Sequence, residues 1–399
     1  MSAAERETPM GPGTAAVWAG EEGSFPWGSV TVPIVNSVTF SYDDVESWLG
    51  VATGKSEGFI YSRNTNPTVH AFEEKMRVLE GGDAATSFST GMAAISNMLF
   101  ALLSPGERVV SVLDSYGGTL KLFTDFLPRF GVEAVLRATD DQDGIERAVR
   151  EGKCSLLYLE TPTNPTLKVL DLARLAAVGR EAGATVVVDN TFATPINQRP
   201  LELGAHLVVH SATKFLNGHS DAMGGVLVGD RELVERVFHF REINGASLHP
   251  ASAYSIIRGL KTLELRVLRQ NENALQLARF LEARPGVETV NYPGLESHPR
   301  HAVARSQMSG FGGMLSFSLK GGMDAVRAFL PRLRLAHRAA SLGSVGTLVG
   351  PPATTSHVEV PIEERAAAGI PEGLIRVSVG IENASDIIDD FRQALMTEG

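Results

Sequence analysis

The sequence is poor in the residues that mark several common classes of protein. It has a single cysteine, Cys154, among 399 residues, so no disulfide can form within the chain and a reducing cytoplasm is the expected location. No uninterrupted apolar run approaches the roughly 20 residues that a membrane-spanning helix needs. The opening residues, "MSAAERETPMGPGT", carry no apolar signal core, which argues against secretion. An excess of positive charge is also missing. Lys and Arg number 36 against 46 Asp and Glu, a net charge of −10, which argues against nucleic acid or an anionic membrane as the main partner. An anionic ligand must then be held by a local cluster of residues.

What remains is an ordinary globular composition, 43% hydrophobic and 21% charged, long enough for two or three structural units. Residues 1–62 are rich in Gly, Pro, Ser and Thr, with a short helical piece at "DDVESWLG". They read as an extended arm that cannot bury itself and so lies on a neighbouring subunit. Residues 63–258 alternate helical and strand patterns. "AFEEKMRVLEGG" is a helix stopped by Gly81 and Gly82, and "STGMAAISNMLFALLSPG" is a second, capped by Ser89 or Thr90. Strands follow at "RVVSVLD", "VEAVLRA", "SLLYLET", "TVVVDN" and "HLVVHS", apolar without alternation, as in a mostly parallel sheet covered on both faces. Residues 259–399 begin with a long helical stretch and continue into alternating segments such as "GMLSFSL" and "LIRVSVG", as in a smaller α+β domain.

Ligands of parallel sheets bind beyond the carboxyl ends of the strands. "ETPTNP", "DNTFATP" and "HSATK" fall at that edge. The last contains Lys214, a long cation among hydroxyls, glycines and small residues, with no acidic neighbour until Asp221. Alone, such a lysine is more often an ordinary helix-start residue. Placed away from water, however, its amine becomes a nucleophile able to form an imine. A pyridine aldehyde as partner needs a carboxylate at its ring nitrogen, and Asp189 closes "TVVVD". The phosphate of such an aldehyde needs a helix N-terminus and hydroxyls. Gly91 and Met92 follow "ST" at a helix start, and Ser211 and Thr213 flank the lysine.

These residues bring a family into view. "YSRNTNPT" (61–68), "STGMAA" (89–94), "SYGGT" (115–119), "YLETPTNP" (158–165), "DNTFATP" (189–195) and "SATKFLNGHSDAMGG" (211–225) closely resemble the Cys/Met-metabolism group of pyridoxal-phosphate enzymes. "SLGSVGTL" (341–348), "PATTSH" (352–357) and "IRVSVGIE" (375–382) extend the resemblance. It covers the chain from about Pro33 onward. The group includes methionine γ-lyase, cystathionine γ-lyase and cystathionine γ-synthase. The resemblance implies an α/β fold of the PLP-dependent transferase type I, aspartate aminotransferase-like. Its large domain has a mostly parallel seven-stranded sheet, with a smaller α+β C-terminal domain.

The resemblance also implies roles. Pyridoxal 5′-phosphate forms a covalent aldimine with Lys214, which then moves protons during catalysis. Tyr116 stacks on the pyridine ring and serves as acid or base near the leaving group. Asp189 pairs with the ring nitrogen and Asn164 with the phenolic oxygen, with Glu160 supporting them. Gly91, Met92, Ser211 and Thr213 hold the phosphate. Arg376 clamps the substrate carboxylate, helped by Ser341, with Thr355 nearby. Tyr61 and Arg63 reach the phosphate of a neighbouring subunit, which implies a homotetramer of two active dimers. Nothing in this chemistry calls for a metal.

Substrate choice turns on a few positions. Family members acting on cystathionine receive its distal amine on acidic side chains; the corresponding positions here are Ile60 and Ala340, both apolar. A plain thioether such as methionine suits them better. Against this, Gly118 replaces the cysteine typical of methionine γ-lyases, and Lys121 sits where cystathionine enzymes often carry arginine. Gly346 replaces a common glutamate. The favoured expectation is α,γ-elimination on L-methionine, with cystathionine γ-lyase, cystathionine γ-synthase and a non-catalytic PLP-binding protein as alternatives. Two other motifs are weaker. "GVATGKS" (50–56) is one residue short of a P-loop and follows no apolar strand. The histidines of "HLVVH" (206–210) and "HPRH" (298–301) suggest zinc, but strand positions four apart chelate poorly.

Overall fold

The computed structural model describes residues 10–23, 25–355, 357–358, 362–367 and 369–396. The first nine residues of the expected arm and Ser356 of "PATTSH" lie outside them.

The large sheet has seven strands: β1 (Ala84–Phe88), β2 (Arg108–Val112), β3 (Glu133–Arg137), β4 (Leu156–Glu160), β5 (Thr185–Asp189), β6 (Leu207–Ser211) and β7 (Gly225–Gly229). Their spatial order is β1-β7-β6-β5-β4-β2-β3. The run from β6 to β3 is parallel, and β7 lies antiparallel to both its neighbours. β4 and β5 are buried almost end to end, which explains their unbroken apolar character, since helices cover both faces. β1 and β7 carry no matching signal in the sequence reading. "AATSF" is half polar and "GVLVG" is a short run between glycines.

Several helix boundaries follow from capping. The helix Pro67–Glu80 starts four residues before the expected "AFEEKM". Asn66 accepts the N–H of Thr68 at 3.0 Å, and Pro67 occupies the first turn, where its missing N–H costs nothing. Thr90, not Ser89, caps the helix Gly91–Leu102, accepting from the Ala93 N–H at 3.0 Å. The long helical stretch after residue 258 is the helix Leu263–Glu282, and Leu260 at its start closes a separate helix, Pro250–Leu260.

A second sheet has the order β10-β11-β12-β9-β8. It comprises β8 (Val287–Asn291), β9 (Met314–Leu319), β10 (His337–Arg338), β11 (Leu348–Gly350) and β12 (Leu374–Ser378). The alternating "MLSFSL" and "LIRVS" are β9 and β12, but both are buried throughout rather than half solvated. The polar positions are satisfied internally: Ser316 accepts from Asn291 at 3.0 Å, and Ser318 bonds Thr289 at 2.6 Å.

The arm differs in part from expectation. The helix Pro12–Trp18 buries Ala15 and Ala16 against its own chain. Buried Lys75 donates to the carbonyls of Ala16 and Val17, both at 3.1 Å, and pairs with buried Glu21 at 3.1 Å. Small alanines permit close approach, and the lysine satisfies carbonyls at the helix end. From Trp27 onward the arm exposes several apolar residues, among them Trp27 at 97%, Val30 at 76% and Trp48 at 51%, although Val32 is buried in the core.

Candidate active site

The carboxyl ends of three parallel strands set the floor of the site. Glu160 of β4 and Asp189 of β5 are register partners, and Ser211 ends β6 beside them. Asp189 accepts from the Thr191 N–H on Oδ1 at 3.0 Å and from the Tyr158 hydroxyl on Oδ2 at 3.1 Å. Buried Glu160 accepts the N–H groups of Tyr116 at 2.8 Å and Asn164 at 3.2 Å. Burial, with the adjacent Asp189 charge, pushes the Glu160 carboxyl well above the usual range, while the two N–H groups oppose the shift. Among the described residues, neither carboxyl has a cationic side chain within ion-pair distance.

Beside Ser211, the helix Gly91–Leu102 presents its first turn, whose N–H groups have no intrahelical acceptor. The approach is so close that a Cβ on Gly91 would stand 2.6 Å from Ser211 Cβ. Gly91, Met92, Ser211 and Thr213 line one side of a cavity of about 590 Å³. Its composition suits a phosphate: hydroxyls, backbone N–H groups and a helix terminus.

Lys214 reaches the same cavity from the turn after β6. Its Nζ lies 2.9 Å from the Ser341 hydroxyl. Burial first, and the charge of Arg376 second, lower the amine from its ordinary 10.5 to about 8. Ser341 holds a positive φ of 90°, a strained conformation for a non-glycine residue, and also offers its carbonyl to Arg376 at 3.0 Å. Arg376 sits in the middle of β12, 8% exposed. Its other contact is the Asn164 side-chain oxygen at 3.0 Å. Both acceptors are neutral, and burial lowers the guanidinium to about 10. Among the described residues, a guanidinium so placed has no carboxylate within ion-pair distance.

Tyr116 lines the cavity, half exposed, at the start of the helix Gly117–Lys121. Gly118 gives its ring room: a Cβ there would meet Tyr116 Cε1 at 2.9 Å and Met92 Sδ at 3.0 Å. Thr355 also lines the cavity and donates to the Pro351 carbonyl at 3.0 Å. Ala340 is there too. Lys121 is exposed outside the cavity. A Cβ on Gly346 would meet open space, and nothing in the structure explains that glycine.

Three expected residues stand apart from the cavity of their own chain: Tyr61, Arg63 and Ile60. The Arg63 guanidinium donates to the Glu242 carbonyl and lies 5.6 Å from the Tyr61 ring. The histidines of the two zinc-like motifs have other partners. His206 accepts the Val186 N–H, His210 bonds Glu80, and His298 and His301 contact backbone carbonyls. "GVATGKS" overlaps the end of the helix Val45–Ala52 and follows no strand. Sequence reading missed Thr191, Phe192, Met223, Leu342 and Ile95, which also line the cavity. Thr191 could have been found two residues past Asp189, where a backbone N–H reaches back to a carboxylate as in an Asx turn.

The residues fit a phosphorylated pyridine aldehyde. Asp189 is a buried carboxylate without a cation, Lys214 an amine lowered toward neutrality, and the Gly91–Ser211 approach a cradle that a side chain would fill. Fold and site together define a pyridoxal-phosphate enzyme of fold type I. The chain belongs to the family described as Cys/Met metabolism PLP-dependent enzymes, which it matches over residues 13–396. It is 43% identical over 388 residues to an L-methionine γ-lyase of Fusobacterium nucleatum subsp. polymorphum, covering 96% of this chain and 98% of that one. To a cystathionine γ-lyase of Bacillus subtilis it is 42% identical over 383 residues, covering 96% and 98%. A solved cystathionine γ-synthase from Xanthomonas oryzae pv. oryzae, in complex with cystathionine, superposes with a TM-score of 0.92. It is 41% identical, covering 97% of this chain and 98% of that one.

Proposed function

We propose that this protein catalyses α,γ-elimination on a sulfur amino acid, with L-methionine as substrate and methanethiol, 2-oxobutanoate and ammonia as products. The observation that carries the amino-acid reading is Arg376, a buried guanidinium with only neutral acceptors among the described residues, beside an amine lowered from 10.5 to about 8. The α-carboxylate of a substrate completes the first and its amine displaces the second. Bound pyridoxal phosphate supplies the electron sink for charge developed at the substrate's α-carbon.

The remaining work falls to this chain's own groups. Lys214 would hold the cofactor at its aldehyde carbon, and displacement by the substrate amine would leave this side chain free to act as a base. It would take the Cα proton, give that proton up, and only then take a Cβ proton as the γ-thiolate departs; one water supplies the keto oxygen of 2-oxobutanoate as ammonia is released. Tyr116, over the same space, protonates the leaving sulfur. Asp189 would hold the cofactor's ring nitrogen, Asn164 its phenolic oxygen, and Gly91, Met92, Ser211 and Thr213 its phosphate. Ser341 keeps Lys214 and Arg376 in fixed relation, and Thr355 supports the wall beside them.

Preference for methionine is supported by the lining. Its acidic side chains, among the described residues, are Glu160 and Asp189 at the cofactor floor, while Ala340, Leu342, Met223, Phe192 and Ile95 are apolar. An unpaired distal amine there would cost about 1–3 kcal/mol. The reading extends to a homotetramer of two active dimers, in which Tyr61 and Arg63 serve a neighbouring cavity and the exposed arm is covered. The test is a substrate panel of methionine, cystathionine, homocysteine and an acylhomoserine with product identification. Methanethiol and 2-oxobutanoate from methionine support the reading. Turnover confined to cystathionine, or γ-replacement on the acylhomoserine, would replace it.

A further inference from the structure

The phenol of Tyr158 is buried, belongs to β4 and takes no part in the chemistry above. Its ring stands edge-on to Phe123, centroids 5.6 Å apart at 70°, and is 0% exposed. Tyr158 and Glu160 share one face of β4. Across the ladder, Val187 and Asp189 are their register partners on β5. The phenol therefore meets the Asp189 carboxylate from the strand beside it, donating to Oδ2 at 3.1 Å, while the Thr191 N–H holds Oδ1 at 3.0 Å.

We propose that Tyr158 is a positioning residue that fixes the plane of the Asp189 carboxylate, so that its remaining lone pairs face the cofactor's ring nitrogen. The inference rests on the reading of Asp189 as partner of that nitrogen. A carboxylate held by one donor at a single oxygen can turn about its side-chain bond. With a donor on each oxygen its orientation is set before the cofactor arrives, and preorganisation of this kind appears as affinity. Donation also persists across the working pH range, because burial and the Asp189 charge push the phenol well above its ordinary value. A core tyrosine merely satisfying its hydroxyl would bond any acceptor in reach. Here the acceptor is Asp189, which lines the cavity beside Lys214 and, among the described residues, has no cationic side chain within ion-pair distance.

The test is Tyr158→Phe, which keeps the ring and removes only the hydroxyl. Affinity of the apo-protein is measured for pyridoxal phosphate and for its carbocyclic analogue, in which C–H replaces the ring nitrogen. The substitution is expected to weaken pyridoxal phosphate about fivefold, the scale of one lost hydrogen bond, and to leave the analogue within twofold. Equal loss for both ligands means a merely structural role and overturns the proposal, as does no loss for either. The analogue comparison cancels any general loosening of the fold. If wild-type protein holds both ligands equally well, Asp189 is not the ring-nitrogen partner. That outcome removes the underlying reading, and it is distinguishable because it appears without the substitution.

Discussion

The lowered basicity of Lys214 has a measurable kinetic consequence. Burial and the Arg376 charge bring its amine to about 8 from 10.5. At pH 7 roughly one molecule in ten then carries the neutral amine, against roughly one in three thousand for an ordinary lysine, an advantage of about 300-fold. The perturbation is pH, and the assay is the rate at which apo-protein joins pyridoxal phosphate, followed by visible absorbance. The sign follows from protonation. The neutral amine is the nucleophile, so the rate falls about tenfold per pH unit below 8 and levels off above it. Arg376→Gln removes the second cause but not the first, so its midpoint moves upward and stays below 10.5. A wild-type rate still climbing steeply at pH 10 would refute the claim that this amine is desolvated.

Other expectations concern single side chains. Lys214→Ala should lower turnover about a thousandfold or more while leaving far-ultraviolet circular dichroism unchanged, because only the reactive group is removed. Gly91→Ala places a Cβ 2.6 Å from Ser211 Cβ; overpacking of about 1–3 kcal/mol should weaken cofactor retention about tenfold, read by equilibrium dialysis. Ala340→Glu should raise kcat/KM for cystathionine relative to methionine about tenfold, since it supplies an acceptor for the distal amine. Gly118→Cys presses on the Tyr116 ring, 2.9 Å from the new Cβ, and should lower kcat/KM for every substrate rather than improve methionine alone.

The inner parallel strands were legible because they are buried on both faces and so read as apolar runs, and the site because polar motifs follow three of them. β7 was not, since five residues framed by glycines resemble a loop until β6 and β1 pair with them. The start of the helix at Pro67 was hidden in "NTNPT", a turn-like string whose Asn66 is a cap. Lys214, Asp189 and Arg376 could be named from their motifs. What they lack could not: among the described residues, the absence of a cation at Asp189 and of a carboxylate at Arg376 is a property of packing. The docking of Pro12–Trp18 was missed for a similar reason. Its anchor is an ion pair between Glu21 and Lys75, and no local periodicity announces a contact over that separation.

The account depends most on the bond between the cofactor and Lys214. Borohydride reduction of the holoenzyme, followed by proteolysis and mass spectrometry of the peptides, tests it directly. A pyridoxyl group on the peptide containing "SATKFLNG", at Lys214, is the predicted result. The same group on another lysine, or on none, would contradict the site as described.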